Sequence, residues 1–95
     1  MIKDVKKDEK DMDMHEFIKA RRYLIWYVND YDKLDARAIV EATLNYGDWD
    51  DVQKLIEILG IKEIARIFKE YSSQPRSNYD HMVTHYFNLY FSQYA

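Results

Sequence analysis

Cysteine is absent from this chain, glycine occurs twice and proline once in 95 residues. Without cysteine there are no disulfides, no thiolate metal sites and no cysteine nucleophile, which suits a reducing compartment. So few glycines and prolines exclude the closely spaced turns of a β-sandwich. No apolar run approaches the roughly 20 residues that a membrane helix needs. The opening stretch, Met1 to Lys10, alternates Lys with Asp and Glu and lacks the apolar centre of a signal peptide, so a cytoplasmic location is expected. Gly-rich phosphate loops and serine nucleophile elbows are missing as well. A non-enzymatic protein without a cofactor is the expectation.

What remains is enough for one folded domain. Hydrophobic residues make up 47% of the chain, so a core can form and wholesale disorder is excluded. The formal net charge of −3 provides no global field to attract nucleic acid. Aromatic residues are in excess: nine Tyr, four Phe and two Trp. Tyrosine buries a ring while keeping its hydroxyl wet or bonded, so it suits core edges and interfaces alike.

Residues 1–12 show no sustained apolar period and read as a flexible charged tail, with a single helical domain over 13–95. From Met14 a helix is expected through Phe17, Ala20, Leu24 and Tyr27, and the apolar run Tyr23 to Val28 should be buried on most sides. Asn29 to Asp35 is a polar loop, with Asp35 placed to cap a second helix whose inward face is Ala36, Ile39, Val40, Thr43 and Leu44. Gly47 is expected to close that helix in the left-handed conformation, and Asp48 to cap the next, with Asp50 and Asp51 near its positive end. Val52, Leu55, Ile56 and Leu59 form a third helical stripe. After Gly60, Ile61, Ile64, Ile67, Phe68 and Tyr71 form a fourth. Ser72 to Ser77 is a loop, and a last helix spans about Tyr79 to Tyr94 with an apolar stripe two residues wide. The expected fold is all-α, a compact orthogonal bundle of about five helices.

Three groups invite a chemical reading. His81 and His85 share a helical face, but Met82, Val83 and Thr84 separate them where a zinc-protease helix has Glu, so no metal site is expected. The acids Asp48, Asp50 and Asp51 serve a helix start, and Asp30, Asp32 and Asp35 lack the Gly and distal Glu of a calcium loop. The third and fourth helices, joined at Gly60, resemble a helix-turn-helix, with Lys62, Arg66 and Lys69 available to phosphates. Glu63 and Glu70 dilute that patch.

The order Leu24-Ile25-Trp26, Lys33-Leu34-Asp35, Ile39-Val40-Glu41, Leu44-Asn45-Tyr46-Gly47-Asp48, then Ile64 and Phe68, resembles a small uncharacterised prokaryotic helical family. The closing aromatic segment Tyr86 to Phe91 fits the same pattern, and the likeness covers residues 23–91. Tyr27 stands where relatives usually carry Asp. The resemblance implies a protein without assigned activity, some of whose relatives are encoded beside abortive-infection nucleotidyltransferase-like toxins. An antitoxin or accessory role follows as an expectation, with a protein partner such as a neighbouring-gene toxin. The expected partner-binding anchors are Trp26, Trp49, Tyr86, Tyr90 and Tyr94. A DNA-binding regulator using residues 48–71 is the alternative, and a homodimer the third reading.

Overall fold

The computed structural model describes residues 12–95. The charged tail expected over 1–12 lies outside them except for Met12, which is already helical. Five α-helices follow one another: α1 over residues 12–20, α2 Ala36–Tyr46, α3 Trp49–Leu59, α4 Ile61–Ser72 and α5 His81–Tyr94. Two short 3-10 turns, Arg22–Ile25 and Tyr31–Lys33, connect α1 to α2. No strand occurs among the described residues, so the all-α expectation holds. No described helix is long and apolar enough to cross a membrane.

Met14, Phe17 and Ile18 are the buried face of α1, at the i, i+3, i+4 spacing of a helix that packs on one side. The α-helix then stops at residue 20, short of the expected Tyr27. Arg21 takes φ −124°, ψ 45°, and the chain tightens into the 3-10 turn. This corrects the sequence reading of an apolar run buried on most sides. Leu24 and Ile25 go inward, whereas Tyr23, Trp26 and Tyr27 stay exposed, as does Ala20. A small domain cannot surround six consecutive large side chains, and breaking the helix lets two enter and Val28 pack at the core edge while three remain outside.

Asp35 caps α2 as expected, its carboxylate accepting from the Ala38 amide at 3.0 Å. Ile39, Val40, Ala42, Thr43 and Leu44 are buried, and the Thr43 hydroxyl is satisfied by donating to the Ile39 carbonyl at 2.7 Å. Gly47 does not take the left-handed conformation; its φ is −77° and ψ 158°. Glycine is needed there for space instead, because a Cβ would sit 2.6 Å from the Thr43 carbonyl oxygen. The positive φ belongs to Gly60, at 87°, where one residue separates α3 from α4.

Helix α3 opens with a reciprocal capping box: Asp48 accepts from the Asp51 amide and Asp51 from the Asp48 amide. Val52 and Leu55 are buried, with Ile56 and Leu59 packed at the core edge. Helix α4 is central, touching α2, α3 and α5, and buries Ile64, Ile67 and Phe68. Full burial of a ring such as that of Phe68 contributes about 2–3 kcal/mol. Asp80 caps α5 by accepting from the Met82 and Val83 amides, so the helix begins two residues later than Tyr79. Tyr79 itself is buried in the preceding loop, its ring edge-on to Phe68 at 5.1 Å. Phe87 and Phe91 complete the core around Phe68.

Candidate functional site

The surface of this bundle carries two aromatic clusters. Tyr86, Tyr90 and Tyr94 stand four residues apart on α5 and so share one stripe. Tyr86 and Tyr90 are nearly parallel, with centroids 6.3 Å apart, and Tyr90 lies 4.9 Å from Tyr94. Trp49, the first residue of α3, meets Tyr90 edge-on at 5.4 Å. Tyr86 and Tyr94 are exposed, Trp49 is 46% exposed and Tyr90 is half-buried. The two-residue width of the α5 stripe is thereby explained. Phe87 and Phe91 form the buried row, and the tyrosines form a second row beside it at the surface.

Trp26, the fifth anchor expected from sequence, belongs to the other cluster. Its ring centroid lies 5.4 Å from Tyr27 and 6.4 Å from Tyr46, and Tyr27 and Tyr46 are 6.0 Å apart. Exposures are 72% for Trp26, 53% for Tyr46 and 49% for Tyr27. The anchors expected from sequence are therefore divided: Trp49, Tyr86, Tyr90 and Tyr94 come together, and Trp26 stands with two rings that sequence reasoning did not select. Tyr46 is the last residue of α2, and the end of that helix was the available signal that its ring could leave the inward stripe.

A third assembly was also missed. Asp51 is only 3% exposed, yet its carboxylate receives three donors. The Arg21 Nε lies at 2.9 Å, the Tyr23 hydroxyl at 2.6 Å and the Asp48 amide at 3.1 Å. Burial alone would push the Asp51 pKa up; the hydrogen bonds from Tyr23, Asp48 and Arg21 outweigh it and hold the carboxyl below its usual range. The same bond pushes the Tyr23 phenol up to about 12. The spacing Asp48-x-x-Asp51 signals the capping box, but Arg21 and Tyr23 arrive from about 30 residues away and leave no local trace.

The remaining sequence-level groups have structural roles. Asp35 and Asp48 cap helices, Asp30 pairs with Lys33, and Asp50 is exposed. His81 and His85 are both exposed, and no group of three His, Asp or Glu among the described residues could hold a metal ion. Lys62, Arg66 and Lys69 border a cavity of about 300 Å³ whose floor includes Phe68 and whose far wall is Asn88, Phe91 and Ser92 of α5. Arg66 is held by Glu63 and Glu70. A single residue, Gly60, joins α3 to α4, whereas a DNA-reading helix-turn-helix uses a turn of about 3–4 residues.

No protein-family model, curated protein or solved structure gives a significant match to this chain.

Proposed function

We propose that this protein is a non-enzymatic protein-interaction module that docks on its partner through its surface aromatic rings. The observation that carries the reading is the placement of both tryptophans, Trp26 and Trp49, outside the core and each within a cluster of tyrosines. Tryptophan and tyrosine dominate interface hot spots because large, rigid rings lose little conformational entropy while excluding water. Contiguous exposed apolar rings are costly to leave in solvent, and they mark interaction surfaces on soluble domains. An antitoxin or accessory partner in a toxin–antitoxin-like pair is the particular form suggested by the family resemblance. Its mechanism is occlusion: rings bury area on the partner while acids answer a basic surface.

The test is an affinity pull-down from nuclease-treated native-host lysate, run in parallel with a Trp49→Ala/Tyr86→Ala variant whose helicity is checked by circular dichroism. A stoichiometric protein captured by the wild type and lost from the folded variant supports the module. Equal capture by both, or capture by neither, overturns it. Light scattering of the purified chain separates a homodimer, by its doubled mass. Charge reversal of Lys62, Arg66 and Lys69 in a DNA-binding assay tests the alternative regulator reading, which a neutral outcome discards.

A further inference from the structure

We propose that the cluster of Trp26, Tyr27 and Tyr46, with the Glu41 carboxylate beside it, is a receptor for an arginine guanidinium carried by a basic segment of the partner. This rests on the protein-module reading and names the chemistry of one contact within it.

The geometry begins with the rings. Their centroids form a triangle with sides of 5.4, 6.0 and 6.4 Å. A cation resting on that triangle at van der Waals height lies within about 6 Å of all three centroids, the range in which ring quadrupoles attract positive charge. The interplanar angles of 83°, 64° and 63° make every contact edge-to-face, so each contact covers one ring face rather than the two that parallel stacking would close. The indole of Trp26, the strongest of the three as a cation acceptor, is also the most exposed.

Charge points the same way. Glu41 is half-buried on α2, five residues before Tyr46, and forms no ion pair among the described residues. Its field reaches the cluster: burial first, and then the Glu41 charge, push the Tyr27 phenol up. Asp48 and Asp50, both exposed, follow within four residues of Tyr46. The Glu41 carboxylate has a hydrogen bond with Asn78 but no cationic partner to neutralise it, and such a charge beside the rings favours a cation over a neutral apolar plug.

The rest of the chain supplies the comparison. Three of its arginines already lie over rings: Arg21 over Phe17 at 4.4 Å, Arg22 over Tyr31 at 5.0 Å and Arg37 over Tyr71 at 5.1 Å. No such cation lies over Trp26, Tyr27 or Tyr46 among the described residues. The most exposed ring cluster, like the α5 cluster, thus carries no arginine of this chain, and of the two only this one has the field of Glu41 on it. Arginine suits it better than lysine, because its flat, weakly hydrated guanidinium stacks on ring faces while its N–H groups reach a carboxylate.

The probe is a capped nonapeptide with three arginines spaced by Gly and Ser, compared with the same peptide carrying citrulline, its neutral isostere, and with a lysine version. Binding is read from the Trp26 indole N–H resonance, assigned by its absence in Trp26→Phe, and from the whole amide spectrum. The expected result is saturable displacement of Trp26, Tyr27 and Tyr46 signals by the arginine peptide, at least tenfold weaker with citrulline and several-fold weaker with lysine. Trp26→Ala and Tyr46→Ala should each abolish it with the spectrum of the core unchanged, and Glu41→Gln should weaken it several-fold. Equal binding of arginine and citrulline peptides, no displacement at these rings, or binding unaffected by Trp26→Ala overturns the proposal. Tighter binding of tetramethylammonium than of the arginine peptide overturns it in favour of a small methylated cation. Because the peptide needs no native partner, its failure leaves partner capture through Trp49 and Tyr86 standing. Loss of partner capture with intact arginine binding strikes the module reading instead.

Discussion

Tyr23 donates its phenol to the Asp51 carboxylate at 2.6 Å across 28 residues of chain, joining the turn after α1 to the first turn of α3. Arg21 reaches the same oxygen at 2.9 Å, and the second oxygen takes the Asp48 amide. A single buried carboxylate thus closes a helix cap and ties α1 to the rest of the bundle. Removing it leaves a guanidinium, a phenol and an amide without their acceptor. Breaking such a group costs about 3 kcal/mol, because the abandoned partners lose both Coulomb energy and hydrogen bonds. Asp51→Ala should therefore unfold at markedly lower denaturant, whereas Tyr23→Phe, which deletes one bond at a largely exposed site, should cost about 1 kcal/mol. Similar midpoints for the two variants in urea would show that the network has no such hierarchy.

The same network sets an acid dependence. The Asp51 carboxyl is held below its ordinary value of 3.8, so the native state favours the ionised form more than the unfolded state does. Its contribution is fully present above that value and disappears as pH falls through the lower native one. The stability gap between wild type and Asp51→Asn should be constant from pH 7 to about 5 and should shrink as pH falls below about 4, the unfolded carboxyl range. Urea midpoints at pH 7, 5, 4 and 3 measure it, and a gap that widens on acidification would reverse the assigned sign.

Two glycines give opposite reasons for the same residue. At Gly47 a methyl group would meet the Thr43 carbonyl oxygen at 2.6 Å and the Asp51 Cβ at 3.0 Å. At Gly60 it would meet nothing within 4 Å, but φ is +87°. Gly60→Ala should cost about 1–3 kcal/mol from backbone strain alone. With ψ at 144° the position lies beside the extended positive-φ region that essentially only glycine occupies, so Gly60→Asn, which tolerates the left-handed helical region, should do no better in urea than Gly60→Ala. A Gly60→Ala midpoint equal to that of the wild type would refute strain as the cause.

Tyr79 is buried with its hydroxyl unpaired among the protein atoms, and burial, followed by the charge of Glu41, pushes its phenol up. An unsatisfied buried hydroxyl costs about 1–3 kcal/mol, while the ring itself packs well against Phe68. Tyr79→Phe keeps the ring and removes the penalty. Its thermal midpoint should be equal to or above that of the wild type, by up to several degrees. A fall of more than a few degrees would show that the hydroxyl is engaged in the folded protein.

The helices were legible because their signals are local. Asp35, Asp48 and the stripes Val52/Leu55 and Ile64/Ile67/Phe68 encode caps and faces within one or two turns, and the structure places them as read. The break after α1 was not legible, because Tyr23 to Val28 is uniformly apolar and periodicity cannot choose among equals. What separates Leu24 and Ile25 from Tyr23, Trp26 and Tyr27 is tertiary: the Asp51 contact holds Tyr23 outward while the core accepts the two aliphatics. Gly47 misled for a related reason, since glycine at a helix end satisfies either a left-handed cap or a close approach, and sequence does not distinguish them. Aromatic anchors were legible as a composition but not as clusters. Trp26 and Trp49 lie in separate groups, and Tyr27 and Tyr46 join the first only through the fold.

The two rows of α5 allow a direct separation of fold from surface. Phe87 and Phe91 contact Phe68 and each other in the core, at centroid distances of 5.4 to 6.2 Å. Tyr86 and Tyr94 sit beside them in solvent, and Trp49 leans on Tyr90 from the start of α3. Phe87→Ala or Phe91→Ala removes a buried ring and should cost about 3–5 kcal/mol. Tyr86→Ala, Tyr94→Ala and Trp49→Ala each remove a half-exposed ring with one or two ring contacts at the surface and should each cost about 0.5–1.5 kcal/mol in urea, well short of the core row. If the surface row serves association, its truncation weakens partner affinity by about 30-fold, the effect of losing a hot spot of about 2 kcal/mol, while these folding midpoints move far less than those of the core row. Should Tyr86→Ala and Tyr94→Ala instead destabilise the chain as much as Phe87→Ala, all four rings serve the core and the α5 face offers no anchor. Urea midpoints of the five single variants, measured beside the affinity of each for the captured partner, decide between a helix that faces two ways and one that is wholly internal.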